Sequence, residues 1–204
     1  NIVLDPCFEN EKSFLYSLAR NFNISFEKYT HTPPRDLSVM DLKEILERYL
    51  YDSSVLENRS VVLIIDEAQK LNESSMEMLR VILNYETNEM KMLQLLLLGQ
   101  LELHAKITAI PNFFDRVSFK YVLNPLGISE TRDLINFRMS QAGYSGRTHF
   151  FLDEAVEMIQ EASRGYPRKI TMMCHRALKA TVMRHKWAVD EAVIREIVEE
   201  DLRA

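Results

Sequence analysis

The first 126 residues alternate short apolar runs with segments that are apolar on one face only. Five aliphatic residues stand in a row at 61–65, and four leucines stand in a row at 95–98. A strand without polar alternation is buried on both faces, which is typical of a parallel sheet with helices on each side. We therefore predict parallel strands at 2–4, 61–65, 93–98 and 117–123, with helices between them.

Polar residues mark where the helices of this part begin. Asn10, Ser38 and Asn72 each precede apolar residues at helical spacing, and such side chains accept hydrogen bonds from the free N–H groups of a first turn. Asp41 follows Ser38 by three residues, close to a capping-box pattern. Each of the three positions therefore predicts a helix start.

The pattern changes after residue 126, where only helical periodicity follows. Helices are predicted to open near Ser129, Asp153, Pro167 and Asp190, with a stop at Gly165. We therefore predict two domains, an α/β core at 1–126 and an all-helical domain at 127–204.

Composition narrows the class of protein. With 204 residues and 47% apolar content the chain can bury a core, and its net charge of −5 disfavours a dedicated nucleic-acid binder. Cys7 and Cys174 lie far apart and form neither a disulfide framework nor a CxxC motif, so we expect a reducing cytoplasm. No apolar run approaches the roughly 18 residues of a membrane span. The sequence opens at Asn1 without an initiator methionine, and we expect that it begins inside a domain.

Two carboxylates follow the apolar run at 61–65 directly. Asp66 and Glu67 come at the carboxyl end of the predicted strand, where open α/β sheets place their ligands. In P-loop ATPases an aspartate here holds Mg²⁺ and a glutamate orients the attacking water. The pattern is that of a Walker B motif; the alternative is an acidic loop without function.

The phosphate-binding partner of this motif is absent from the 204 residues. That loop has the form Gly-x-x-x-x-Gly-Lys-[Ser/Thr], and none of the five glycines, at 99, 127, 143, 146 and 165, precedes Lys-Ser or Lys-Thr. We therefore expect that the chain alone binds ATP too weakly to matter and is inactive.

Three further polar residues are candidates for the same chemistry. Gln100 follows the strand at 93–98 and points to the edge where Asp66 lies; the alternative is an ordinary strand-end residue. Arg116 precedes the last predicted strand, and its alternative is an ion pair with a surface acid such as Asp115. Arg168 follows a helix-starting proline, which is a common place for an arginine without function.

The remaining charged and histidine residues give weaker signals. The five histidines show no metal-ligand spacing. Six basic residues make the helical part locally basic, which predicts a solvated face or, as the sharper alternative, a surface for DNA or a protein partner. They are Arg164, Lys169, Arg176, Lys179, Arg184 and Lys186.

Taken in order, these motifs resemble the AAA+ ATPases of the general secretion pathway protein A (ExeA-like) family, which includes pilus-biogenesis relatives. The matching segments are 61–71, 79–86, 93–103, 116–126 and 165–170. They cover the chain nearly end to end, and the combination of DEAQ with LLGQ-x-EL is fairly specific.

The resemblance implies the fold and a role for each candidate. It implies a P-loop NTPase of the AAA+ type whose parallel sheet lacks its N-terminal part, followed by a helical lid domain. Asp66 would hold Mg²⁺ and ATP, and Glu67 would orient the water. Gln100 takes the sensor 1 position, Arg116 the arginine-finger position and Arg168 the sensor 2 position.

The resemblance also implies cofactors, partners and location. The cofactors are ATP and Mg²⁺, and the strand at 2–4 corresponds to the one after the P-loop helix, so the chain would be a truncated ATPase. We expect a homo-oligomer that works with secretion or pilus assembly proteins. We place it in the cytoplasm, with the inner face of the inner membrane as the alternative for the intact protein.

Three functions remain open from the sequence. The first is an ATPase that assembles a secretion or pilus machine. The second is a DNA-directed AAA+ regulator of the transposition or origin-binding type, for which nucleic acid would be a partner, although this is not favoured. The third is a nucleotide-independent interaction module.

Overall fold

A computed structural model describes residues 1–87, 90–146 and 149–203, and of Arg203 it describes the backbone only. The chain divides into two compact units, residues 1–120 and residues 121–204. Each unit has its own apolar core. Within the described residues, no helix is long and apolar enough to cross a membrane.

The first unit contains a parallel sheet of three strands in the order β1-β2-β3. They are β1 (Ile2–Val3), β2 (Val62–Ile65) and β3 (Gln94–Leu97). The register aligns Ile2 with Ile64, and Ile64 in turn with Leu96. The parallel arrangement predicted for these three segments is confirmed.

Five α-helices accompany this sheet in the described residues. They are α1 (Glu11–Asn21), α2 (Val39–Tyr51), α3 (Glu73–Ile82), α4 (Glu102–Thr108) and α5 (Pro111–Phe114). The three predicted caps all form: the side chains of Asn10, Ser38 and Asn72 each accept a hydrogen bond from a backbone N–H of the first turn. Asp41 completes the capping box by accepting the N–H of Ser38 at 2.7 Å.

One face of the sheet is buried and the other is not. Leu63 and Ile65 of β2 are fully buried among the helices, whereas on the opposite face Ile2 is 52% exposed and Leu96 47% exposed. The prediction that the strands are buried on both faces is therefore wrong for the described residues. The helices α1 to α3 pack with the buried side chains, and among the described residues of the first unit no helix buries the other face.

The predicted strand at 117–123 does not form. Phe119 is 95% exposed, and Tyr121 and Leu123 are each 86% exposed. Their alternation is strand-like, but a strand is stabilised only by a neighbour that pairs with its N–H and C=O groups. In the described residues β3 ends the sheet and pairs only with β2, so this segment has no such neighbour.

The second unit is helical. It contains α6 (Ile128–Gln141), α7 (Asp153–Ser163), α8 (Pro167–Met183) and α9 (Glu191–Arg203). The described residues of this unit include a single isolated bridge, between Phe151 and Val189, and no strand. Its core is formed by side chains from all four helices, such as Ile135, Ile159, Ile170 and Ile194.

The start of α8 is tied to the segment that leads into α6. The N–H of Leu126 donates to the carbonyl oxygen of Gly165 at 2.8 Å. Gly165 has a φ of +73°, and a β-carbon there would collide with the backbone of Leu126. Only glycine satisfies both conditions, so Gly165 fixes the path of the chain just before Arg168.

Candidate functional site

The carboxyl ends of the three strands meet at the turn that follows β2. The N–H of Asp66 donates to the carbonyl oxygen of Val3 at 2.9 Å, and the N–H of Ala68 donates to that of Leu98 at 2.8 Å. The turn that carries the two predicted catalytic carboxylates is thus held by hydrogen bonds on both sides. This is the edge at which parallel sheets place their ligands.

Asp66 is half-buried at the end of β2. Its Oδ1 accepts the N–H of Glu67 at 2.8 Å, which orients the carboxylate. No ion pair engages Asp66 in the described part of the chain. Its free lone pairs suit a hard cation that takes oxygen ligands.

Glu67 has a left-handed backbone conformation, with a φ of 52°. Such a conformation is costly for a residue with a β-carbon, and it recurs where a site needs a particular side-chain direction. The carboxylate accepts a hydrogen bond from Gln69 Nε2 at 3.0 Å and lies 3.7 Å from Lys70 Nζ. Its side chain is 41% exposed, so the carboxylate is fixed yet reachable from solvent.

Gln100 lies at the same edge, after β3. Its backbone N–H donates to Gln69 Oε1 at 3.2 Å, and its side chain is exposed. Gln69 joins the backbone of Gln100 to the carboxylate of Glu67, and the role predicted for the side chain of Gln100 stays a prediction. Sequence reasoning did not single out Gln69; its signal was the polar fourth position of Asp-Glu-Ala-Gln.

Two further residues that the sequence analysis passed over support the turn. Lys106 Nζ of α4 donates to the carbonyl oxygens of Gln69 and Leu71, each at 2.6 Å. Gly99 lies beside the turn, where a β-carbon would come within 2.8 Å of Gln69 Oε1. A small residue at position 99 therefore makes room for the side chain of Gln69.

Arg116 lies just after α5, on an exposed stretch of chain. The alternative that it pairs with Asp115 or another surface acid finds no support, because the described residues contain no ion pair of Arg116. Its guanidinium is therefore free to meet a charge from outside the unit. The role of an arginine finger stays a prediction.

Arg168 belongs to the second unit and is exposed in the first turn of α8. It borders a shallow depression on this helix together with Thr171, Met172, His175 and Arg176. The described residues offer Arg168 no ion-pair partner. Its role as sensor 2 likewise stays a prediction.

Half of the basic residues predicted to form a local basic surface are neutralised by ion pairs. Arg176 pairs with Glu200 and Asp201, and Arg184 pairs with Glu196. Lys186 pairs with Asp190 at 2.7 Å, whereas Lys169 lies over the neutral ring of Tyr166 and keeps its charge. Of the six cations, Arg164, Lys169 and Lys179 have no ion pair among the described contacts, and three separate cations are a weak basis for binding nucleic acid.

The oxygen-donor chemistry of the site fits one Mg²⁺ ion that is bound mainly through water and phosphate. Among the described residues, no three His, Cys, Asp or Glu side chains are grouped as a metal cage. Mg²⁺ commonly uses one or two carboxylates and keeps several waters, which a single aspartate at the end of β2 can satisfy. Asp66 is the residue that would hold it.

Sequence comparisons identify relatives over most of the chain. The AAA domain family matches residues 3–107. General secretion pathway protein A of Aeromonas hydrophila is 30% identical over 184 residues, which are 89% of this chain and 32% of that protein. An uncharacterized HTH-type transcriptional regulator of Methanocaldococcus jannaschii is 27% identical over 93% of this chain and 46% of that protein.

Solved structures show the same fold at low identity. The ORC2 protein of Aeropyrum pernix in its ADP form has a TM-score of 0.61 at 16% identity, over 98% of this chain and 52% of that one. Cdc6p of Pyrobaculum aerophilum has a TM-score of 0.64 at 15% identity, over 92% of this chain and 49% of that one. These likenesses establish the architecture alone.

The chain spans about a third to a half of the length of the curated relatives it matches. The family match covers β2, β3, the Asp66-Glu67 turn and Gln100, whereas Arg116 and Arg168 lie outside it. The chain is a member of the AAA domain family of AAA+ ATPases.

Proposed function

We propose that this chain carries the hydrolytic half of an ATPase site, in which Asp66 and Glu67 act on ATP bound with Mg²⁺. The observation that carries the proposal is the turn after β2, which presents both carboxylates at the carboxyl edge of the sheet. When bound, Mg²⁺ neutralises charge on the phosphates and orients them. Asp66 binds and orients that ion.

Glu67 positions the attacking water and accepts hydrogen bonds from it. Its left-handed backbone and the hydrogen bond from Gln69 direct the carboxylate. Gln100, which follows the neighbouring strand, is the side chain that senses the terminal phosphate or holds the same water.

The role of Asp66 is tested by the variant Asp66→Asn. This variant should weaken Mg²⁺-dependent nucleotide binding, measured with a fluorescent ATP analogue in the full-length protein that carries this sequence. Unchanged binding would refute the role of Asp66.

The phosphate cradle is a separate requirement. The 204 residues contain no Gly-x-x-x-x-Gly-Lys-[Ser/Thr] loop, which is the main source of affinity in P-loop ATPases. We propose that these residues alone bind ATP only weakly. A micromolar dissociation constant for residues 1–204 would contradict this.

The two arginines are proposed to act on different subunits. Arg116 is exposed and unpaired in the described chain, which suits a group that meets the nucleotide of a neighbouring copy. Arg168 would act within its own chain by coupling the terminal phosphate to the helical unit. In an oligomer, mixing Arg116→Ala with Glu67→Gln should restore some hydrolysis, because some interfaces then hold both intact groups; Arg168→Ala should not be rescued in this way.

We propose that ATP hydrolysis is coupled to assembly of a secretion or pilus machine, by analogy with general secretion pathway protein A, the relative at 30% identity. The protein would then be a homo-oligomer in the cytoplasm, at the inner face of the inner membrane when assembled. Deletion of the gene should impair secretion or piliation, and Glu67→Gln should fail to restore either.

A DNA-directed regulator is the second candidate, since one relative is an HTH-type transcriptional regulator. The ion pairs of Arg176, Arg184 and Lys186 weaken this candidate, because those cations are already neutralised. Binding of the full-length protein to duplex DNA with steep salt dependence would favour the regulator. Binding that is absent or insensitive to salt would favour the assembly ATPase.

A further inference from the structure

We propose that Gln69 is a positioning residue for hydrolysis, which fixes the carboxylate of Glu67 relative to the segment that carries Gln100. The inference rests on the proposed ATPase function and adds a residue to it. Gln69 does not touch the reacting atoms; it acts through Glu67. The two polar atoms of its side chain form hydrogen bonds with two different partners.

The geometry shows this division. Gln69 Nε2 donates to Glu67 Oε2 at 3.0 Å, while Gln69 Oε1 accepts the backbone N–H of Gln100 at 3.2 Å. The side-chain amide of glutamine offers a donor and an acceptor on two separate atoms, as these two partners require. A single side chain thus links the end of β2 to the end of β3.

The backbone of Gln69 is held independently of its side chain. Its carbonyl oxygen accepts Lys106 Nζ at 2.6 Å, and the adjacent Ala68 N–H donates to Leu98. Truncation of the side chain should therefore leave the turn in place while releasing the carboxylate of Glu67. That separation makes a kinetic test informative.

Gly99 gives a second, independent route to the same contact. A β-carbon at position 99 would lie 2.8 Å from Gln69 Oε1, 2.9 Å from Leu103 Cδ2 and 3.3 Å from the backbone nitrogen of Gln69. The two closest atoms are ends of side chains, so Gly99→Ala should chiefly displace the side chain of Gln69 and move its backbone by only a few tenths of an ångström. The variant perturbs Gln69 without altering its chemistry.

The experiment uses the full-length protein that carries this sequence, with two substitutions at Gln69 and one control substitution at Gln94. Gln69→Leu removes both hydrogen bonds at similar volume. Gln69→Glu keeps an acceptor for the N–H of Gln100 but, when ionised, replaces the hydrogen bond to Glu67 by repulsion between two carboxylates. Gln94→Leu, at an exposed glutamine at the start of β3, is the matched control.

We expect Gln69→Leu and Gln69→Glu to lower kcat for ATP by about 10- to 100-fold, because misplacing a catalytic group by about 1 Å has that effect. KM for ATP and the melting temperature should stay near those of the parent protein, and Gln94→Leu should leave kcat unchanged. Gly99→Ala should lower kcat as well. Combining it with Gln69→Leu should add little, since both remove the same contact.

A measurement made without nucleotide tests the hydrogen bonds of Gln69 separately from catalysis. Amide hydrogen exchange at Gln100 should quicken in Gln69→Leu, which lacks the acceptor, and stay slow in Gln69→Glu, which retains it. If Gln69 has only a structural role, kcat should instead change in step with amide exchange at Gln100 or with the melting temperature. The kcat of Gln69→Glu should then be close to that of the parent protein. That pattern would overturn the proposal.

The remaining outcomes distinguish failure of the positioning role of Gln69 from failure of the ATPase assignment. If Glu67→Gln abolishes turnover but both Gln69 variants keep full kcat, the positioning role fails and the ATPase assignment stands. If Glu67→Gln leaves turnover unchanged, the ATPase assignment fails and the positioning role falls with it. Unchanged exchange at Gln100 in Gln69→Leu would refute the hydrogen-bond network itself.

Discussion

Substitution of Gly165 by alanine tests the packing that leads into Arg168. The φ of +73° at Gly165 is in the left-handed region, where a residue with a β-carbon costs about 1–2 kcal/mol. The new β-carbon would also collide with the backbone of Leu126, which cannot move as easily as the end of a side chain. The hydrogen bond from Leu126 N–H to Gly165, 2.8 Å long, should then stretch or break, at a cost of about 1 kcal/mol.

Together these effects should lower the free energy of unfolding by about 2–4 kcal/mol, which is a large share of the stability of an ordinary domain. The assay is urea denaturation of the parent and variant proteins, followed by circular dichroism. For a unit of this size the melting temperature should fall by about 10 °C or more.

Substitutions at two other glycines separate the cost of the left-handed conformation from the cost of the collision with Leu126. Gly143 also has a positive φ, of +87°, but a β-carbon there would meet nothing within 4 Å, so Gly143→Ala should show the conformational cost alone. At Gly127 the nearest atom would be Glu130 Oε2 at 3.7 Å and the backbone is extended, so Gly127→Ala should have the smallest effect. If Gly165→Ala were no more destabilising than Gly143→Ala, the proposed close approach of Gly165 and Leu126 would be refuted.

Three further outcomes follow from the charges and thiols. Burial raises the pKa of the Cys174 thiol to about 12, so a thiol reagent at pH 8 should label exposed Cys7 faster than half-buried Cys174; equal rates would contradict this. Lys106→Met should lower the free energy of unfolding by about 1–3 kcal/mol in a denaturation titration, because two charge-assisted hydrogen bonds to the turn after β2 are lost, and an unchanged midpoint would argue against them. The hydrogen bond from Lys28 lowers the pKa of Asp52, so its contribution to stability is present at neutral pH and is lost as the pH falls below about 4. The stability difference between the parent protein and Asp52→Asn should therefore vanish in acid, and a difference that grows in acid would show the sign to be wrong.

Local signals in the sequence predicted local structure well. The caps at Asn10, Ser38 and Asn72 form because each depends only on hydrogen bonds within one turn of the chain. The parallel pairing of β1, β2 and β3 also follows from their apolar runs. These elements need little knowledge of the rest of the fold.

Features that depend on distant partners were not predictable in the same way. The segment at 117–123 has the alternation of a strand, but pairing requires a neighbour that the described chain does not supply. Burial of β2 and β3 on both faces was also overestimated, because a run of aliphatic residues does not reveal how many helices cover it. The bridging role of Gln69 depends on the meeting of two strand ends, which no spacing in the sequence displays.

The most direct test of the ATPase assignment is the turnover of Glu67→Gln in the full-length protein, at saturating ATP and Mg²⁺, with nucleotide affinity measured in parallel. Glutamine keeps the size of the side chain and its contact with Gln69 but loses the negative charge that orients the water. We predict that kcat falls by about 100-fold or more while the dissociation constant for ATP is nearly unchanged. Turnover equal to that of the parent protein would contradict the assignment of the Asp66-Glu67 turn as the hydrolytic centre.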